Sequence, residues 1–88
     1  MSKTSRILEY LARGRALTRF DAEPLGDHCL PSTVSHLERV HGIRVGRQTI
    51  ERPGFNGSRV RCARYRIETK AERDHARTAL RRMRKGAG

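Results

Sequence analysis

Seven arginines, Arg44, Arg47, Arg52, Arg59, Arg61, Arg64 and Arg66, fall within residues 43 to 67 and share that stretch with a single acid, Glu51. A guanidinium is always charged and presents a planar fork of donors. It therefore grips a phosphate or a guanine edge through two bonds at once, which the point charge of a lysine cannot do. With one carboxylate nearby, these side chains cannot all be neutralised within their own segment, and several must condense counter-ions. The rest of the chain sharpens the contrast. Residues 1 to 42 carry six Lys and Arg against five Asp and Glu, and residues 68 to 88 carry seven against three. The whole chain holds 20 Lys and Arg against 9 acids for a net charge of +11, and 17 of those cations are arginine. A field of this sign recruits phosphate backbones or anionic lipid from a distance. A codon bias toward arginine would raise the total but would not cluster it.

Other chemistry is poorly served. His28, Cys29, His36, His41, Cys62 and His75 include no Cys-x-x-Cys pair and no His-x-x-x-His pair, so no metal site is expected. No glycine-rich phosphate loop leads into a helix, and no Ser, His and Asp stand in a nucleophile setting. No catalytic residues and no cofactor are therefore expected. His28 beside Asp27 reads as a polar turn, His41 as a helix end that favours positive charge, and Cys29 and Cys62 as small core residues.

The elements that must position the arginines are legible from periodicity and caps. With 88 residues, 35% apolar and no Trp, the chain has room for one small core built from Ile, Leu, Val and Ala. Ser2 or Thr4 caps a first helix with Ile7, Leu8, Leu11 and Ala12 at helical spacing, stopped by Gly14. Thr18-Arg19-Phe20-Asp21 is a capping box. It opens a second helix at Arg19 that should bury Phe20 and Ala22, and Pro24 shortens or kinks it near Leu25-Gly26. A third helix starts at Pro31 with Val34, Leu37 and Val40 or His41 buried, and Ser32, Thr33, His36 and Arg39 on its polar face.

From Ile43 the period changes to two and runs to about Glu51. Residues 53 to 57 form a turn, and Arg59 to Ile67 return. The apolar parity of that return strand switches between Cys62 and Tyr65, which predicts a twist or a bulge. Thr69-Lys70-Ala71-Glu72 caps a last helix reaching about Lys85, with Ala76, Ala79, Leu80 and Met83 on one side and a disordered tail at residues 86 to 88.

Three short helices, a cationic hairpin and an added basic helix give an α+β chain divided into residues 1–68 and 69–88. The run Ile7-Leu8-Glu9-Tyr10-Leu11, Gly14, Leu17-Thr18, Gly26, Leu30, Val34, Leu37-Glu38-Arg39, Gly42-Ile43 and Arg64-Tyr65-Arg66-Ile67 resembles the small winged helix-turn-helix proteins of phages and prophages. Pro24 and the last helix depart from that pattern. The resemblance implies a double-stranded DNA-binding protein that regulates transcription or directs recombination. The third helix would lie in the major groove and the hairpin would straddle the adjoining backbone.

On that footing Thr33, His36 and Arg39 are expected at base edges and Ser32 at a phosphate. Arg44, Arg47, Arg52, Arg59, Arg61 and Arg64 are expected along the backbone, with Arg52 and Arg59 as minor-groove or phosphate probes. Phe55 at the tip either wedges between bases or folds back on its hairpin. Arg73, Arg77, Arg81, Arg84 and Lys85 would flank the duplex, while the Ala76, Leu80, Met83 stripe pairs with the first helix or forms a homodimer. Its two large apolar residues are too few for firm lipid binding, so no membrane partner is expected. Two alternatives use the same surface: an RNA-binding module, and a small phage-type inhibitor that docks on a protein. Lacking a signal-peptide pattern or an 18-residue apolar run, the chain is expected in the cytoplasm, with both thiols reduced.

Overall fold

A computed structural model describes residues 2–86, apart from the side chains of Phe55 and Lys85. The helices are α1 (Lys3–Ala12), α2 (Arg19–Ala22) continued by a 3-10 turn (Glu23–Leu25), α3 (Leu30–His41) and α4 (Lys70–Gly86); the strands are β1 (Gly46–Pro53) and β2 (Arg59–Arg66). The result is an α+β chain with four helices and a two-stranded antiparallel hairpin, a layout compatible with a winged helix.

Local signals set the ends of these elements. Ser2 accepts from the Ser5 amide and caps α1. Thr18 and Asp21 form the reciprocal box of α2, each bonding the other's backbone amide. Thr69 accepts from the Glu72 amide at the start of α4. Pro24 ends the α-helical geometry of α2 at Ala22 because its ring lacks an amide proton, and the chain finishes the turn as 3-10. Gly26 (φ 89°) and Gly42 (φ 64°) then take the left-handed conformation that closes the 3-10 turn and α3.

The hairpin pairs without interruption from Gly46 opposite Arg66 to Pro53 opposite Arg59, so no extra residue interrupts the ladder. Cys62 on one face and Tyr65 on the other are both buried, so the ribbon rotates about its own axis between them by twist and not by a bulge. β1 begins three residues later than periodicity suggested. Ile43 and Val45 leave the ladder and are instead buried in the core. A contact without any local signal closes the hairpin base: Leu17 and Tyr65 exchange both backbone hydrogen bonds, at 2.9 and 2.8 Å, making a one-residue third strand.

One core unites the chain. Ile7, Leu8 and Leu11 of α1, Val34 and Leu37 of α3, Tyr65 and Ile67 of the hairpin side, and Ala76, Ala79 and Leu80 of α4 are all buried in it. The apolar stripe of α4 is therefore spent on α1, and residues 69–86 belong to the same packing unit as residues 2–68. The predicted tail at residues 86–88 lies largely outside the described residues.

Two side chains depart from their expected burial. Phe20 is 41% exposed because α2 is only one turn long and turns that residue toward solvent. Asp27, read as part of a polar turn, is buried: its Oδ1 accepts from the Cys29 amide at 3.0 Å and lies 3.6 Å from Lys3 Nζ. Its bond to an amide two residues on fixes the entry of α3. Asp27→Ala strips the acceptor from that amide and should cost about 1–3 kcal/mol, read as a lower denaturation midpoint with the slope unchanged.

Candidate nucleic-acid interface

The face α3 presents follows from where the helix starts. Beginning at Leu30, one residue ahead of Pro31, it buries Leu30, Thr33, Val34 and Leu37, a stripe at spacings of three and four. Thr33 is thus a core residue whose hydroxyl leans back toward the Cys29 carbonyl at 3.5 Å, which corrects its assignment to a base edge. Val40 is corrected in the opposite direction, since it stands 58% exposed. Cys29 is exposed too, because it occupies the cap position of α3, where its Sγ lies 3.0 Å from Ser32 Oγ; Cys62 is buried, and the two thiols are free. The outward face holds Ser32, Ser35, His36, Arg39 and Val40, all exposed. It carries one guanidinium, no carboxylate and one branched aliphatic group. The His36 ring meets His41 edge-on at 5.7 Å between centroids.

The hairpin base is tied to this helix. Glu38, on the flank of α3, receives Arg47 at 2.7 Å, and the Arg47 guanidinium lies over the Tyr65 ring at 5.3 Å.

The arginines of the hairpin fall into two groups. Arg59 and Arg61 share Glu51, at 3.0 and 4.0 Å, and both are about four-fifths exposed, so a phosphate can displace that carboxylate at little cost. Arg52 is held inward. It donates to Thr18 Oγ1 at 2.9 Å, lies 3.6 Å from Asp21 and covers the Phe20 ring at 5.1 Å, so its expected place as a free probe near the tip is corrected. The hairpin thus draws on acids from α2 and α3 as well as on Glu51. Arg44 and Arg66 have no carboxylate partner among the described residues, and Arg64 bonds only the neutral Gln48 at 3.1 Å. The Phe55 side chain at the tip lies outside the described residues.

The titration of Asp21 is displaced by its neighbours. Partial burial pushes its carboxyl up, but the Thr18 amide and hydroxyl and the Arg52 guanidinium together outweigh it and hold the pKa below its ordinary 3.8. A depressed folded-state pKa contributes stability that is fully present above the unfolded value and is lost as pH falls through the folded one. Acid unfolding of the wild type below about pH 4 should therefore be steeper than that of Asp21→Asn. Parallel stability curves for the two proteins between about pH 2 and pH 5 would contradict this.

The arginines of α4 do not join the surface of α3. Arg73, expected on DNA, points inward. Its Nη1 donates to the carbonyls of Ile67 and Glu68 at 3.3 and 3.0 Å, and its stem lies against Gly14, which pins the hairpin exit to α1. Arg77 pairs with Asp74 at 3.0 Å, and Arg84 with Glu9 at 2.8 Å, a carboxylate that also holds Arg13. Arg81 is exposed and has no carboxylate partner among the described residues. α4 packs along α1, which in turn packs on α3, and Arg77 and Arg81 follow His75, whose ring lies beside Gly42 at the end of α3.

No group of three His, Cys, Asp or Glu among the described residues is arranged to hold a metal ion, and no described helix is long and apolar enough to cross a membrane. Neither a protein-family model, nor a curated protein, nor a solved structure matches this chain.

Proposed function

We propose that this chain is a non-enzymatic double-stranded DNA-binding protein of the winged helix-turn-helix kind, acting as a small regulator of transcription or of recombination. In this reading α3 enters a major groove while Arg44, Arg64 and Arg66, with Arg59 and Arg61 above them, follow the phosphates of the adjoining backbone. The observation that carries it is the Glu38–Arg47 bridge. That bridge joins the flank of a helix whose exposed face carries no carboxylate to the base of a hairpin where Arg44, Arg64 and Arg66 have no acidic partner among the described residues. Arg39 is the group on α3 able to take a guanine O6 and N7 together. His36 and Ser32 supply single hydrogen bonds.

Val40 adds what Thr33 was expected to supply. An exposed branched aliphatic beside Arg39 fits the C5-methyl of a thymine, the one apolar feature on a major-groove edge.

A selection from random duplexes on the purified protein tests the reading. It should return one motif, bound more tightly than random DNA by at least about 10³-fold. Within that motif, replacing a single thymine with deoxyuridine should weaken the wild type by about three- to tenfold and leave Val40→Ala unaffected, since one buried methyl is worth about 0.8 kcal/mol or somewhat more. Enrichment of a single-stranded RNA, or a stoichiometric protein complex with no selected duplex, would replace this reading with one of its alternatives.

A further inference from the structure

The outward side of α4 has the chemistry of a phosphate-binding surface on an element separate from α3 and the hairpin. Arg81 and Arg82 are both exposed, and neither has a carboxylate partner among the described residues. On either side of them Arg77 and Arg84 are engaged only in ion pairs with Asp74 and Glu9, whose side chains are about half exposed or less and whose arginines remain half exposed. Pairs of this kind exchange for a phosphate at small cost. Arg77, Arg81 and Arg84 are spaced by four and three residues, which sets them on one flank over about 10 Å, a length that spans about three phosphates along one strand.

This surface is held by α1. α4 packs along α1, with Arg73 against Gly14 near its start and Arg84 on Glu9 near its end, and α1 also packs on α3. The start of α4 adjoins the hairpin base, where Thr69 and Glu72 line one pocket with Arg44 and Gly46, and Arg81 and Arg82 lie about 16 Å further along the helix. A duplex whose contacts end at the start of α4 leaves them free.

A bilayer is the less suitable partner. An interfacial helix needs an apolar face to insert, and here Ala76, Ala79 and Leu80 are buried in the core with Met83 packed against it. What remains outward is polar, which suits a phosphate backbone.

We propose that the outward face of α4, centred on Arg81 and Arg82, binds the phosphate backbone of a second duplex, so that one molecule links two DNA segments. The proposal rests on the duplex-binding reading of α3 and the hairpin, and the experiment keeps the two apart. One duplex carrying the selected motif is immobilised, and a labelled second duplex of unrelated sequence is recovered through the protein at about 0.1 M salt. The double variant Arg81→Gln, Arg82→Gln is compared with the wild type, and Arg81→Lys, Arg82→Lys serves as a charge-retaining control. Both pairs of changes fall at exposed helical positions, and circular dichroism verifies the fold.

The wild type should recover the second duplex, the Gln variant should lose about tenfold or more of that recovery, the Lys variant should retain most of it, and binding of the first duplex should change by less than about twofold in all three. Equal recovery by the Gln variant overturns the proposal, including the case in which a dimer does the linking. So does a wild type that binds the first duplex and recovers no second one, or a Gln variant that weakens the first duplex as much as the second. Preferential, Arg81- and Arg82-dependent binding to phosphatidylserine vesicles over duplex would assign the surface to a membrane and overturn it too. Failure of the wild type to bind the immobilised duplex at all would strike the earlier reading instead.

Discussion

Ending the chain at Glu68 should unfold what remains at 25 °C instead of releasing an independent domain. Leu80, Ala76 and Ala79 lie in the same core as Ile7, Leu8 and Leu11, and their loss uncovers the face of α1 they cover. Burying one leucine is worth about 1.5–3 kcal/mol, and the two alanines, Met83 and the newly exposed α1 side chains bring the loss to about 5 kcal/mol or more. A domain of this size holds only about 4–13 kcal/mol in total. Arg73, which ties the carbonyls of Ile67 and Glu68 to the helix, goes with it. The expected result is a fragment with no cooperative thermal transition, whereas Leu80→Ala in the full chain keeps the fold and loses about 2–4 kcal/mol. A fragment 1–68 that melts cooperatively would show that the sequence-based division at residue 68 is a real boundary and that α4 is an accessory.

The second large effect is electrostatic and discriminates among arginines that look alike in the sequence. Replacing Arg44, Arg64 and Arg66 with Gln removes three guanidiniums that no carboxylate neutralises. The slope of log affinity against log salt should then become shallower by about 2.7, and affinity at about 0.1 M salt should fall by two to three powers of ten. Replacing Arg59 and Arg61 removes as many charges per residue, but Glu51 competes with phosphate for those two, so about one phosphate contact is at stake and the slope should change by about 1. Salt titrations of both variants on one duplex decide the matter. If the two slopes per removed arginine coincide, pairing within the protein has no bearing on which arginines meet phosphate, and the division of the ribbon into free and engaged groups loses its meaning for binding.

The residues that the sequence placed correctly are those whose structural role is settled within a turn of chain. The Thr18 and Asp21 box and the Thr69 cap are bonds between a side chain and an amide three residues away, and Pro24 acts on its own turn; such signals do not depend on what packs where. The hairpin and its turn were legible for the same reason. Thr33 and Val40 were exchanged because they sit at the margins of the buried stripe of α3, where a shift of one residue in the helix start and the position of the neighbouring helix decide which side is covered. Asp27 hid behind its polarity, although an acid two residues before a helix cap is itself a recognisable signal.

By itself the sequence determined the order of the elements and the surplus of guanidinium charge in the hairpin, since both are sums or short-range patterns along the chain. Only the tertiary structure decided which arginines are spent: Glu38 reaches Arg47 from α3, Asp21 reaches Arg52 from α2, and Glu9 reaches Arg84 from α1. It also decided that the apolar stripe of α4 is covered by α1 and that its arginines face outward. The reason is one of range. An arginine can choose among carboxylates anywhere within its reach, and which carboxylates come within reach is fixed by the burial of apolar faces far away in sequence.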